Sequence, residues 1–176
     1  MPTPFRPASE LLVQYARCHR DPRNIEMHFV GVPMMVFALG VLLGRPAWAG
    51  ALTPAWALWA LVTLWYLTRG QLVLGLATSA LTLALLAGAA PLATHGTPLW
   101  LSSGITLFVL GAAAQYLGHY YEGCRPTLGD DLSGLLVGPL FIVAEWLFPL
   151  GWGRALQAEI ERRAGPRQLR DLAMSA

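Results

Sequence analysis

Residues Leu72 to Ala93 read LVLGLATSALTLALLAGAAPLA, an apolar stretch without a charged side chain. A helix of about 20 apolar residues is long enough to cross the roughly 30 Å of hydrocarbon in a bilayer. Comparable stretches run from Ile25 to Leu43, from Ala51 to Leu67 and from Leu99 to Tyr121. The chain is 55% hydrophobic and 12% charged, which is too apolar for one soluble core of 176 residues. The sequence therefore predicts an all-α integral membrane bundle with four spanning helices.

A fifth apolar segment, from Leu132 to Leu150, differs from the others because it contains Pro139 and Glu145. Proline removes a backbone donor and clashes with the preceding turn, and a carboxylate is costly against lipid. We therefore expect a broken or re-entrant segment that rests on the spanning helices.

The whole chain, 1–176, is predicted to form a single membrane domain. An amphipathic helix at 8–20 should lie flat at the membrane surface, a helical membrane core should follow at 25–150, and a basic tail at 151–176 should end the chain. Arginines are concentrated before the first span and after the last. By the positive-inside rule both termini are expected in the cytoplasm, and a bacterial inner membrane is the expected location.

Two cysteines, Cys18 and Cys124, lie near this predicted cytoplasmic face. Thiols stay reduced in the cytoplasm, so we expect two ordinary thiols and no disulfide.

The first polar cluster contains Tyr15, His19, Asn24 and His28. Tyr15 and His19 share a helical face, and the break at Asp21-Pro22 should fold the two histidine-bearing helices together. Asn24 is expected to be the N-cap of the first span. The alternative is that both histidines are interfacial residues that reach the headgroups.

The second cluster lies at the end of the fourth span, where Gln115, Gly118, His119 and Glu122 occupy one stripe of a helix. Such a stripe suits close packing against a neighbouring helix, with the polar groups facing a protein-lined pocket. Three roles are open for Glu122: it could bind a metal, orient a histidine, or pair with Arg125. The alternative is an ordinary ion pair at a helix end.

Antiparallel spans would bring the start of the first and the end of the fourth to one face of the membrane. His19, His28, His119 and Glu122 would then converge, a donor set that suits non-haem iron or zinc with positions open for substrate and dioxygen. Iron suits an oxygenase better than zinc does. Glu145 could support this site or pair with a surface arginine, whereas His95 belongs to the opposite end of the fourth span.

Three ordered signatures resemble the membrane-bound 2-hydroxy fatty-acid dioxygenases of fatty-acid alpha-oxidation. They are carried by three sets of residues: Tyr15, His19, Pro22, Asn24, His28, Val32 and Pro33; Gln115, Gly118, His119, Glu122 and Pro126; and Pro139, Phe141 and Glu145. The resemblance covers most of the chain.

The resemblance implies an iron(II)-dependent enzyme that takes a 2-hydroxy fatty acid and dioxygen and releases carbon dioxide and the fatty acid one carbon shorter. The metal ligands would be His19, His28 and His119. The other candidate catalytic residues are Glu122, Tyr15, Asn24, Gln115 and Glu145. The substrate head would chelate the iron through its 2-hydroxyl and carboxylate while the acyl chain stays among the membrane lipids. No nucleic-acid partner is expected.

The carboxylate of the substrate could be held by Arg20, Arg23 or Arg125. Two other functions stay open from the residues alone. One is a zinc-dependent membrane lipid hydrolase, since histidines and an acid can also activate water. The other is a small transporter or scaffold in which the histidines relay protons or pack.

Overall fold

The computed structural model describes residues 6–45, 52–124 and 128–172, with the backbone alone described for 128–133. These residues form helices and no strand, which confirms the all-α prediction. Within the described ranges there are seven helices in chain order: α1 (Ala8–Ala16), α2 (Pro22–Leu43), α3 (Pro54–Leu67), α4 (Leu72–Ala93), α5 (Thr97–Glu122), α6 (Leu128–Leu147) and α7 (Arg154–Ala164).

The helices α2, α4 and α5 are long and apolar enough to cross a membrane. They correspond to three of the four predicted spans. The remaining predicted span, Ala51 to Leu67, corresponds to α3, which has only 14 residues. At 1.5 Å per residue it covers about 21 Å, less than the roughly 30 Å of bilayer hydrocarbon. The chain is therefore a membrane protein, with three candidate spanning helices among the residues that the structure describes, and the four-span arrangement is not confirmed.

The helix α6 continues through Pro139, so the expected break in this segment is wrong. Residues 137–145 are all buried, so the side chains around Pro139 pack against neighbouring helices although proline removes one backbone hydrogen bond of the helix. Glu145 is buried too, and its carboxylate forms ion pairs instead of facing lipid. Placement of α6 in the membrane stays a prediction.

The corner between α1 and α2 differs from its predicted form in two respects. The first helix ends at Ala16 and not at Arg20, and a hydrogen-bonded turn follows it. The predicted N-cap role of Asn24 is wrong, because Asp21 caps α2 by accepting from the amide of Arg23. Pro22 fits the first helical position because its missing donor would be unpaired there.

Close packing of α2 against α5 brings the start of one helix beside the end of the other. The two helices meet through glycines: a Cβ on Gly31 would lie 2.6 Å from the carbonyl oxygen of Gly111, and one on Gly111 would lie 2.8 Å from that of Gly31. Any side chain at either position would force the helices apart. This contact sets how far His28 on α2 lies from His119 on α5.

The helix α7 and the residues after it return to the α1–α2 corner. Arg163 of α7 pairs with Glu10 of α1. Beyond α7, the amide of Arg170 donates to the Asp21 carboxylate at 2.9 Å, and Arg23 donates to the carbonyl of Arg170 at 2.8 Å. The C-terminal residues therefore lie at the same end of the bundle as the N-terminal corner.

Candidate metal centre

Three histidines from distant parts of the chain meet at this corner. His19 lies in the turn after α1, His28 in the second turn of α2, and His119 in the last turn of α5. One ring nitrogen from each lies within 4.8 Å of the other two. His19 and His28 are only 3% and 1% exposed, so their ring nitrogens are shielded from solvent.

Backbone carbonyls fix which nitrogen of two of these rings carries the proton. His19 Nδ1 lies 2.7 Å from the carbonyl oxygen of Tyr15, and His28 Nδ1 lies 2.9 Å from that of Asn24. A carbonyl oxygen only accepts, so both Nδ1 atoms must donate. Burial holds the pKa of His19 well below its ordinary value, which keeps that ring neutral. In a neutral ring with a proton on Nδ1, Nε2 carries the lone pair.

The Nε2 atoms of His19 and His28 lie 3.1 Å apart. Two lone pairs at this distance repel unless a proton or a metal cation lies between them. Two nitrogens bound to one ion by bonds of about 2.1 Å at right angles are about 3.0 Å apart, so the pair fits a single metal ion. The ring nitrogen of His119 lies within 4.8 Å of the other two, close to the span of about 4.2 Å that one ion with bonds of this length can bridge. The residues present therefore fit a metal held by three imidazoles.

Aromatic rings fix the orientation of His19. The ring of Tyr15 stacks on it with centroids 3.9 Å apart and planes 8° apart. Phe141 of α6 lies against both, with centroid distances of 5.1 Å to Tyr15 and 5.5 Å to His19. Tyr15 therefore holds His19 twice, through its ring and through its carbonyl oxygen.

The carboxylate of Glu122 points to the α1–α2 corner. It accepts from the backbone amide of Arg20 at 3.0 Å, from that of Asp21 at 2.8 Å and from the side-chain amide of Asn24 at 3.1 Å. The other suggested partner, Arg125, lies outside the described residues, as does Pro126 of the second signature.

Asn24 forms hydrogen bonds to His28, Cys18 and Glu122. Its carbonyl oxygen holds His28, and its side-chain amide also donates to the carbonyl of Cys18 at 2.7 Å. Its Oδ1 is buried and has no hydrogen-bond partner within the part of the chain that the structure describes. A Cβ on Gly118 would lie 2.5 Å from that oxygen, so only glycine fits beside Asn24.

Two of the predicted catalytic residues have hydrogen bonds or ion pairs with groups other than the three histidines. Gln115 donates to the sulfur of Met35, deeper in the contact between α2 and α5. Glu145 pairs with Arg167 and, at 3.9 Å, with Arg20. Pairing with an arginine was one of the two roles that the sequence left open for Glu145. His95 precedes α5 at the opposite end from His119, as predicted, and is exposed.

The two described arginines suggested for the substrate carboxylate already have partners inside the protein. Arg20 donates to the carbonyls of His19 and Gly165 and pairs with Glu145. Arg23 forms two hydrogen bonds to the carboxylate of Asp21. The hydrogen bonds from the Arg23 guanidinium are the chief reason that the pKa of Asp21 is lowered to about 2. Neither arginine presents an unused guanidinium, so the structure does not support that role.

Sequence reasoning missed a covalent link beside the histidines. The structure joins Cys18 and Cys124 in a disulfide with Cα atoms 5.7 Å apart, so the expectation of two thiols is wrong. The signal was present in the sequence: Cys18 precedes His19, and Cys124 follows Glu122 by two residues. Each cysteine therefore borders one of the two clusters that were predicted to converge.

An apolar cavity of about 110 Å³ lies farther along the bundle, between α2, α3, α4 and α6. Its lining includes Leu39, Leu43, Trp59, Leu86 and Pro139, and none of the three histidines. With so little polar lining it suits hydrocarbon and offers no ligands for a metal.

The family model described as "2-hydroxy-palmitic acid dioxygenase Mpo1-like" matches residues 5–150. The chain belongs to this Mpo1-like family. It is 32% identical over 153 residues to the 2-hydroxy-palmitic acid dioxygenase MPO1 of Saccharomyces cerevisiae, covering 84% of this chain and 83% of that protein. No solved structure matches the chain. The Mpo1-like region contains all three histidines and Glu122, whereas α7 and the residues after it lie beyond it.

Proposed function

We propose that this chain is an iron(II)-dependent dioxygenase that shortens 2-hydroxy fatty acids by one carbon. The observation that carries the proposal is the group of three buried or half-buried imidazoles, from segments up to a hundred residues apart, at a spacing that suits one metal ion. The name of the yeast relative supports the reaction class and the substrate class.

The reaction balances without a further reductant. One 2-hydroxy acid and one dioxygen give the acid shortened by one carbon, one carbon dioxide and one water. The bond between C1 and C2 breaks, C2 becomes the new carboxyl carbon, and dioxygen takes up all four electrons. A bound Fe(II) would supply the activation of dioxygen, and imidazole ligands suit that metal.

The protein's own part is to hold the ligands in one protonation state and one orientation. The carbonyls of Tyr15 and Asn24 each take an Nδ1 proton, which directs Nε2 of His19 and of His28 toward the metal. Stacking of Tyr15 and packing of Phe141 exclude water from one side of His19. A half-buried His119 leaves the opposite side accessible for a substrate head.

The position of the centre suits a lipid substrate. It lies at the ends of the two apolar helices α2 and α5, where a polar head meets water and polar ligands. An acyl chain that stays in hydrocarbon retains a favourable transfer free energy of about 0.8 kcal/mol for each CH₂ group, which it would lose in water. A site at this depth therefore lets a charged head react without removing its tail from the bilayer.

The test is a single-turnover assay on protein purified in detergent and loaded with Fe(II) without oxygen. With 2-hydroxypalmitate and dioxygen, we expect pentadecanoate and carbon dioxide in equal amounts. His28→Ala and His119→Ala should make no product and bind less iron, while His95→Ala, which changes a histidine at the other end, should behave as wild type. Folding of each variant is checked by circular dichroism and gel filtration. Product formation by folded His119→Ala, or activity with zinc alone, would contradict the proposal.

A further inference from the structure

One carboxylate holds together the segments that carry all three histidines. Glu122 follows His119 by three residues on α5. Its oxygens accept from the amide of Arg20, which is next to His19, and from the side chain of Asn24, whose carbonyl holds His28. Movement of Glu122 would therefore change the distance between each pair of imidazoles.

The hydrogen bonds of Glu122 leave it unsuited to be a metal ligand. Both oxygens face N–H donors: the amide of Arg20 lies 3.0 Å from each, and Oε2 also accepts from Asp21 at 2.8 Å. A carboxylate that turned toward a metal would leave these amides without acceptors, which is unfavourable in a buried corner. Its present location, at the N-terminus of α2, is also favourable for a negative charge.

We propose that Glu122 is a positioning residue, which fixes the α1–α2 corner against the end of α5 so that His19 and His28 reach the same ion as His119, without binding that ion itself. The inference rests on the proposed function for the identity of the site. It assigns Glu122 one of the three roles left open by the sequence, in a wider form: the residue orients two histidine-bearing segments and not a single ring.

The experiment compares Glu122→Gln with wild type and with Glu26→Gln, a matched control. Glu26 lies on α2 two residues before His28 but is exposed, so its substitution makes the same change in charge without touching the corner. Co(II) is titrated anaerobically into each protein, because its visible spectrum reports both affinity and the set of ligands. We expect Co(II) to bind Glu122→Gln at least tenfold more weakly, with a spectrum at saturation equal to that of wild type.

Glutamine has the same shape as glutamate but offers one oxygen and one NH₂ group, which only donates, so it cannot accept all the bonds that the carboxylate accepts. A changed spectrum at saturation would show that Glu122 is a ligand and would overturn the proposal. Unchanged affinity would overturn it as well. Glu26→Gln should match wild type in both measurements.

A second measurement on the metal-free proteins separates this inference from the proposed function. Hydrogen exchange at the amides of Arg20 and Asp21 should be at least tenfold faster in Glu122→Gln than in wild type and unchanged in Glu26→Gln. Equal exchange in all three proteins would overturn the anchoring role. If wild type bound no Co(II), the proposed function would fail, while the exchange rates would still decide whether Glu122 holds the corner.

Discussion

His19 and His28 face each other through Nε2 atoms 3.1 Å apart, while the Nδ1 atom of each ring donates to a carbonyl oxygen four residues earlier. Both rings are thus fixed with their lone pairs directed at the same point. Without a cation the arrangement is unfavourable, and with one it becomes a pair of ligands. The folded chain should therefore bind a divalent metal far better than the unfolded chain.

A divalent metal should consequently raise the melting temperature. A ligand that binds only the folded state at a hundred times its dissociation constant adds about 2.7 kcal/mol of stability. We expect a stabilisation of this order with Fe(II) under anaerobic conditions, measured by thermal unfolding in detergent with and without metal. His119→Ala should lose most of the shift, and His95→Ala should retain it. An equal shift in His119→Ala would remove that residue from the centre.

The burial of His19 predicts how metal-free stability depends on pH. Its pKa lies well below the ordinary value of 6.5, chiefly because burial disfavours the charged ring. Below pH 6.5 the unfolded chain therefore binds a proton that the folded chain does not. Stability is full above this pH and falls on acidification, by at most about 1.4 kcal/mol per pH unit for one histidine.

Thermal unfolding of the metal-free protein between pH 7.5 and 5.5 tests whether its stability falls as the pH falls. His19→Gln should show a shallower decline than wild type, because the group that takes up the proton on unfolding is gone. The exposed His95 offers the control, since His95→Gln should leave the slope unchanged. A wild-type stability that rose as the pH fell would contradict the burial of a neutral His19.

The convergence of the histidines was predictable from the sequence because two simple rules determine it. The lengths of the apolar stretches predicted the bounds of α2, α4 and α5 to within three residues at each end. An antiparallel arrangement of these helices then places the start of α2 beside the end of α5. The helical spacing of Tyr15 and His19 predicted that they share a face, and their rings are stacked.

Other features depend on contacts that leave no pattern in the chain. Asp21 and Asn24 are both good N-caps three residues apart, and Pro22 at the first helical position is what favours Asp21. The partners of Glu122 are largely backbone amides, which every residue except proline has. The return of the C-terminal residues to Arg23 joins positions 147 residues apart, and no periodicity reports such a contact.

The contact of Gly118 with Asn24 predicts a strong effect from one methyl group. A Cβ at position 118 would lie 2.5 Å from Asn24 Oδ1 and 3.2 Å from the carbonyl oxygen that holds His28. Both atoms belong to a buried residue that has little room to move. We expect Gly118→Ala to lose about 1–3 kcal/mol of stability and to weaken metal binding, since overpacking displaces the neighbouring groups.

Gly88→Ala on α4 is the matched control for this substitution. Its Cβ would meet Phe37 at 3.5 Å, an ordinary contact, and alanine favours a helix over glycine by about 0.5–1 kcal/mol. Its melting temperature should equal or exceed that of wild type, with metal affinity unchanged. If Gly118→Ala bound metal as tightly as Gly88→Ala, close packing at Asn24 would not determine the geometry of the centre.

The disulfide between Cys18 and Cys124 gives the last prediction. It closes a loop of 106 residues and holds the turn that carries His19 against the end of α5. Cross-links of this length stabilise a fold by about 2–4 kcal/mol, chiefly by restricting the unfolded chain. Cys18→Ser and Cys124→Ser should each lower the melting temperature by an equal amount, and a reductant should lower that of wild type but of neither variant. Thiol counts after alkylation check that wild type has no free cysteine before reduction.

The same bond tests the membrane orientation. Disulfides persist in oxidising compartments, whereas the arginine-rich ends predicted a reducing cytoplasm on this side. A membrane-impermeant reductant added to intact cells should open the bond if this end faces outward and leave it intact if it faces the cytoplasm, with detergent-solubilised protein as the accessible control. Because Cys18 and Cys124 border the two ligand-bearing segments, the answer also decides on which side of the membrane the head of a substrate would meet the metal.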